Sequence, residues 1–219
     1  MKIIIPLQTC STRVVNKNLR NFHAKNSLFD VKAKQLIKCF DPKKVFVSCE
    51  NESVREKVEG YKFNFLLRDK KYTGNIVKIT DLVGHILSQI PDDGEDLAWT
   101  QVTAPLFNDF KNCLTIWESK KKDYDSLVVV KEVKFAITEN NIPINFNFGC
   151  WHKASQYIPK CYEVLWAFCI LKRETFNDSR YAFGYNPYKY VSDFVDVDID
   201  TEKDFALAQK IYSKFHAGL

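Results

Sequence analysis

The stretch Lys2-Ile3-Ile4-Ile5-Pro6-Leu7, followed at once by the polar run Gln8-Thr9-Cys10-Ser11-Thr12-Arg13-Val14-Val15-Asn16-Lys17-Asn18, sets the reading of the whole chain. A short β-branched apolar segment with polar chain after it fits a buried strand. Residues 28–40 then place apolar side chains at helical spacing, until Asp41-Pro42 stops the helix. The same alternation recurs outward. Strands are predicted over 45–47, 63–67, 97–102 and 127–133, and helices over 53–58, 76–90 and 110–117. In the 76–90 helix, Ile76, Ile79, Val83, Ile86 and Leu87 share one face. Buried strands alternating with amphipathic helices predict parallel strands joined by crossovers, an α/β fold with a doubly wound, mostly parallel sheet. In such sheets ligands lie at the carboxyl ends of strands, which points to the segments after Leu7, Leu67 and Thr100.

Beyond Val133 the rhythm breaks. Residues 142–148, 162–171 and 188–197 read as strands linked by aromatic-rich connections. A single domain over 1–219 is therefore expected to carry a β-rich insertion or dimerisation region over 134–190. Residues 203–215 close the chain as a helix, with Phe205, Ala208, Ile211, Tyr212 and Phe215 in one stripe and Thr201 with Asp204 as a capping pair.

With 219 residues, 46% of them hydrophobic, the chain has enough apolar material for one large core. Its formal charge of +5 permits anionic ligands without marking a nucleic-acid binder. The densest basic run, Lys120-Lys121-Lys122, fits a solvated helix end. Seven cysteines, an odd number with no Cys-x-x-Cys pair, fit neither a disulfide framework nor a zinc site, and suit a reducing cytoplasm. The opening segment is too short for a signal peptide, and the longest apolar run, 164–171, is too short to span a bilayer. A soluble, cytoplasmic protein with no membrane and no nucleic-acid partner is expected.

Near the end, Val195-Asp196-Val197-Asp198-Ile199-Asp200-Thr201-Glu202-Lys203-Asp204 alternates apolar residues with carboxylates and runs into a helix start. On a strand, Asp196, Asp198 and Asp200 would project from one face. Two readings stand side by side. Alternation is first a burial signal, with the acidic end complementing the helix dipole. Crowded carboxylates also invite a hard divalent cation, and magnesium binds through one or two carboxylates plus a substrate phosphate. The loop after the first strand has the same duality: hydroxyls, Arg13 and Lys17 can cradle phosphates, or form a plain polar loop. Glycine is absent from it, which excludes a Walker-type or dinucleotide loop.

Taken together, several stretches resemble the sugar cytidylyltransferases, which join CMP to acidic sugars. Ser11-Thr12-Arg13 with Lys17 is similar to the first loop of the 3-deoxy-manno-octulosonate branch, and Lys17-Asn18-Leu19 to that of the acylneuraminate branch (CMP-sialic acid synthetases). Val47-Ser48-Cys49-Glu50-Asn51-Glu52, Leu67-Arg68, Gln101-Val102-Thr103-Ala104-Pro105-Leu106 and Val197-Asp198-Ile199-Asp200-Thr201-Glu202-Lys203-Asp204 resemble further family motifs, in family order over nearly the whole chain. The resemblance implies a Rossmann-like, GT-A-like nucleotidyltransferase fold and attack of a sugar hydroxyl on the α-phosphorus of CTP, with release of pyrophosphate. The product would be an activated sugar for surface glycan (capsule or lipopolysaccharide) synthesis. It implies Mg2+ held by Asp198 and Asp200, with these two and Lys17 catalytic. Leu7, Gln8, Ser11, Arg13, Lys17, Asn18 and Arg68 would bind the nucleotide; Gln101, Thr103 and Gln156 would meet a sugar-like acceptor. A homodimer is implied, formed through the irregular region, which would also help bind the acceptor.

The chain departs from the family at several places. Gln8 stands where an arginine is expected, Thr12 where the acylneuraminate branch has lysine, Gly74-Asn75-Ile76-Val77-Lys78-Ile79 where the family has Thr-Asp-Thr-Ala-Ser-Ser, and Phe107 where it has arginine. Ser155 and Glu163 replace arginines that would clamp a sugar carboxylate. An ordinary nonulosonate acceptor then requires substitution by Lys134, Lys153 or Lys160; a neutral or differently charged acceptor is the alternative. His85 reads as a satisfied helix histidine or a catalytic one, and Trp151, His152, Tyr157, Tyr162, Trp166 and Phe168 as pocket lining or packing. A glycosyltransferase-like enzyme, a non-catalytic nucleotide-binding relative and a basic nucleic-acid module are the competing functional readings.

Overall fold

The computed structural model describes residues 1–11, 13–74, 76–193 and 197–216. A seven-stranded sheet has the order β5-β4-β1-β6-β8-β7-β9, formed by β1 (Lys2–Pro6), β4 (Val45–Cys49), β5 (Asn64–Leu67), β6 (Leu97–Trp99), β7 (Ser126–Val133), β8 (Cys161–Leu171) and β9 (Pro187–Val191). All of its strands run one way except β8, which is antiparallel to both β6 and β7. The strand reading of the opening segment and the mostly parallel doubly wound sheet are thus present. A small hairpin, β2 (Asn21–His23) with β3 (Asn26–Ser27), lies outside this sheet.

Period-two alternation divides the core. Ile3 and Ile5 pack on one face with Leu28 and Ala33 of α1 (Leu28–Leu36), Trp117 of α4 (Phe110–Lys120) and Phe205 of α6 (Glu202–His216). Ile4 packs on the other with Val83 and Ile86 of α3 (Ile79–Ser88) and Phe176 of α5 (Arg173–Ser179). The remaining helix, α2 (Arg55–Glu59), buries Val58 beside β5. Helix starts carry their chemistry where the sequence has it: Ser27 and Asp30 form a capping box on α1, and Thr201 with Asp204 forms the expected pair ahead of α6.

Several expectations are corrected. The 76–90 helix starts only at Ile79, and Ile76 is 98% exposed rather than part of the apolar face. Residues 142–148 form no strand; an isolated bridge from Ile137 to Pro143 is their nearest approach. The amides of Thr138 and Ile144 donate to the Ile142 and Ala136 carbonyls, each at 2.8 Å, but Pro143 has no N–H to offer a strand on its other side, and Ile142 and Ile144 lie exposed. Irregular chain therefore occupies 134–160, while β8 and β9 belong to the central sheet. The last predicted strand ends at Val191, and Val197 to Asp200 are not strand, so Asp198 and Asp200 do not share a strand face. Asp196 lies outside the described residues, as do Thr12 and Asn75.

No helix among the described residues is long and apolar enough to cross a membrane. All seven cysteines are free.

Candidate active site

The loop after β1 is folded by its own apolar anchor and backbone turns. Val14 is fully buried, the Lys17 and Arg20 amides donate to the Val14 and Asn16 carbonyls, and Asn16 adopts a left-handed φ of 52°. This turn aims Arg13, Lys17 and Asn18 across the carboxyl end of the sheet. From the other side comes the chain ahead of α6. Ile199, fully buried, donates its amide to the Thr103 carbonyl at 3.0 Å and accepts from the Lys17 ammonium through its own carbonyl. Arg20 steadies the same region by a bidentate pair with Glu202, at 2.9 and 2.6 Å.

Because Ile199 points inward, Asp198 and Asp200 turn to the cleft. The Asp200 carboxylate lies 2.8 Å from the Arg13 guanidinium and 3.4 Å from the Lys17 ammonium. Burial pushes the Asp198 carboxyl above its ordinary value; Asp200 pushes the same way, while a hydrogen bond from Thr103 and the charges of Lys17 and Arg13 oppose them. Its surface still opens to solvent at the mouth of the cleft. The Thr103 hydroxyl also lies 3.3 Å from Gln101 Oε1. A cavity of about 460 Å³ is lined by Gln8, Cys10, Ser11, Arg13, Lys17, Asn18, Gly74, Gln101, Thr103, Asp198 and Asp200, with Pro6 and Val102 completing its wall. Two carboxylates facing two cations and a set of neutral donors suit a polyanion carried with a divalent cation.

A cytidylyltransferase family model matches residues 2–145. The chain belongs to that family. It is a CTP-dependent nucleotidyltransferase by that membership. Solved structures share its fold: CMP:2-keto-3-deoxy-manno-octonic acid synthetase complexed with CTP has a TM-score of 0.68 at 10% identity, covering 98% of each chain. HddC from Yersinia pseudotuberculosis has a TM-score of 0.61 at 13% identity, covering 96% of this chain and 99% of that one. 4-Diphosphocytidyl-2C-methyl-D-erythritol synthase from Anaerococcus prevotii has a TM-score of 0.63 at 10% identity, covering 97% and 99%. No curated protein matches at a significant level.

Within this cytidylyltransferase, Gln8, Ser11, Arg13, Lys17, Asn18, Gln101, Thr103, Asp198 and Asp200 meet in the one cleft. Three residues expected to bind nucleotide or acceptor, Leu7, Arg68 and Gln156, do not line it. Leu7 is fully buried beneath the loop and offers only its carbonyl, which Arg68 occupies. Arg68 is itself buried and paired to Glu50, so its charge is spent inside the protein. Gln156 sits in a turn of the 134–160 region, beside a separate cavity lined by Glu132, Lys134 and Lys160. His85 stacks on Tyr72 at 4.4 Å and contacts Gln89, a packed helix histidine. Burial lowers its pKa below the ordinary value.

Sequence reasoning missed Gly74, which reaches the cleft with a φ of 104° and open space where a side chain would stand. The available signal was its place in the polar segment after β5. Cys10 was likewise passed over, and lines the cleft with its thiol accepting from Gln8 Nε2 at 3.2 Å.

Proposed function

We propose that this enzyme transfers CMP from CTP to a nucleophilic oxygen of a sugar-like acceptor and releases pyrophosphate. The observation that carries the reading is the meeting of Asp200 with Arg13 and Lys17 in a cleft also lined by Asp198. Arg13 and Lys17 would neutralise the triphosphate, and such positioned cations act where charge develops during phosphoryl transfer. The donor set fits Mg2+: two carboxylates at the rim of an oxygen-rich cleft, with room for substrate phosphates and waters. Asp198 and Asp200 would hold the ion, which when bound supplies charge neutralisation at the phosphates. No cluster of three or more His, Cys, Asp or Glu suited to a metal occurs among the described residues.

Asn18 narrows its own role. Its Nδ2 donates to the Gln8 carbonyl at 2.8 Å, which fixes the amide orientation, and its buried Oδ1 has no partner among the described residues. A carbonyl oxygen cannot bond a phosphate oxygen, so Asn18 suits a donor such as the cytosine amino group or a ribose or acceptor hydroxyl. Gln101 and Thr103 stand at the acceptor side. Ser155 and Glu163 in place of guanidinium groups favour an acceptor without a nonulosonate carboxylate.

A homodimer is part of this proposal. Exposed Phe135, Ile137, Ile142, Ile144, Phe148 and Trp151 concentrate in the irregular 134–160 region, and contiguous exposed apolar side chains of that kind mark interfaces.

The test is a thermal-shift comparison of CTP, UTP, GTP and ATP with Mg2+, followed by a pyrophosphate-release assay against neutral, phosphorylated and carboxylated sugars. Stabilisation by CTP above the others, with turnover on at least one acceptor, is expected. CTP binding without turnover on any acceptor would favour the non-catalytic relative, and no preference for CTP would refute the proposal.

A further inference from the structure

The proposed chemistry leaves one buried ion pair unused. Glu50 and Arg68 have side chains only 7% and 2% exposed and meet at 2.8 Å. Desolvation cancels most of the attraction in such pairs, so stability alone is a weak reason to have one. What the pair holds is more informative. Glu50 Oε1 accepts from both the amide and the hydroxyl of Thr9, each at 2.6 Å, while Oε2 accepts from Arg68. Arg68 also donates to the Leu7 carbonyl at 2.7 Å and lies 3.4 Å from the Ser48 carbonyl. The pair therefore grips the chain on both sides of Gln8, whose own carbonyl is held by Asn18. Gln8 between these anchor points, and Cys10 and Ser11 immediately after them, line the cleft.

We propose that Glu50 and Arg68 are positioning residues for the nucleotide, acting through Thr9 and Leu7 to fix the path of the loop that receives it. The proposal rests on the reading of this cleft as the CTP site. Gly-rich phosphate loops reach their shape through backbone freedom. This loop has no glycine between Leu7 and Asn18, and its path is set by a buried carboxylate on the end of β4 and a buried guanidinium on the end of β5. Thr9 is the contact that transmits the effect, because its amide and hydroxyl share one carboxylate oxygen.

The experiment uses the full chain and measures CTP binding with Mg2+ by calorimetry, with a melting curve for each variant. Thr9→Val removes the hydroxyl and leaves both the amide bond and the ion pair. The expected result is CTP binding weakened about tenfold, or about 1.4 kcal/mol, with Tm within about 3 °C of wild type. Thr9→Ser restores the hydroxyl and is expected to bind CTP within about twofold of wild type. Glu50→Gln provides a second route to the same loop and is expected to weaken CTP binding in the same direction. Wild-type affinity in Thr9→Val overturns the proposal, as does failure of Thr9→Ser to restore binding. A Tm loss that accounts for the lost affinity also overturns it, leaving the pair a structural role. A wild-type chain that does not bind CTP overturns the reading of the cleft itself, and this proposal with it.

Discussion

Removing Arg68 should unfold this protein far more readily than removing the whole Glu50–Arg68 pair. In Arg68→Met the Glu50 carboxylate stays buried and keeps the Thr9 donors, but loses its cationic partner, Arg68. An uncompensated buried charge costs about 3–5 kcal/mol. For a domain of this size each kcal/mol moves Tm by about 2–4 °C, so a fall of about 6–20 °C is expected. Replacing both partners, as in Glu50→Leu with Arg68→Met, removes the stranded charge and should recover part of that loss. The pH dependence gives an independent check. Burial would raise the Glu50 pKa, but the Thr9 hydroxyl and amide, its own backbone and Arg68 together hold it below the ordinary value. A carboxylate with a depressed folded-state pKa stabilises above its unfolded pKa, and that stability is lost as pH falls through the folded one. Arg68 is the smallest of these lowering contributions, so Arg68→Met should lessen the depression, and the variant should lose less stability than wild type between pH 7 and about pH 4. Urea denaturation of wild type, single and double variants at both pH values measures all of this. A single variant destabilised by less than about 1 kcal/mol, or a double variant less stable than the single, would refute the reasoning.

Three further outcomes are expected. Asp200→Asn should lower turnover by about 100-fold or more with little change in Tm, because its ion pairs are half exposed and contribute little stability; near-normal pyrophosphate release would remove Asp200 from the machinery. Ile144→Glu with Trp151→Glu should convert the proposed dimer to monomer in sedimentation, since both side chains are exposed in the irregular region; an unchanged sedimentation coefficient would show that the patch is not the interface. Under mild maleimide treatment read by mass spectrometry, exposed Cys10 and Cys150 should be modified before Cys49, whose thiol burial pushes up to about 11. CTP should protect Cys10 and leave Cys150 unprotected.

The parallel sheet was legible because its strands are buried apolar runs and its helices carry clear amphipathic spacing. What sequence did not reveal has specific physical causes. The β2–β3 hairpin turns at Ala24 and Lys25, both with positive φ, where an Asn-Gly signal is absent. Helix α5 buries Phe176 but is too short for periodicity to stand out. The alternation over 142–148 is a true strand pattern that finds only a single bridge, from Ile137 to Pro143, among the described residues, and pattern alone cannot supply a partner strand. Most of the cleft was legible through motif order, whereas Arg68 was misplaced. A basic residue at a strand's carboxyl end reads equally well as a ligand contact or as the partner of a carboxylate eighteen positions away. Only the fold brings Glu50 beside it.

The electrostatics of the cleft imply an order-independent but strongly coupled entry of its ligands. Asp198 and Asp200 stand against Arg13 and Lys17, so the site is self-neutralising without substrate. A triphosphate arriving alone meets two carboxylates, and a divalent cation arriving alone meets two cationic side chains. At about 5 Å and an effective dielectric of about 20, each like-charge contact costs about 3 kcal/mol. If the aspartates hold Mg2+ as proposed, the two ligands together exchange these repulsions for attractions, and linkage requires each to tighten the other equally. CTP affinity should therefore fall about 10- to 100-fold when Mg2+ is replaced by EDTA, within the usual range of coupling energies. Asp198→Asn with Asp200→Asn should abolish that difference and bind metal-free CTP more tightly than wild type does, because the repulsion has gone while Arg13 and Lys17 remain. Calorimetric titrations with and without Mg2+ decide it. Equal CTP affinity in both conditions for wild type, or a full Mg2+ effect surviving in the double variant, would place the metal somewhere other than between these aspartates.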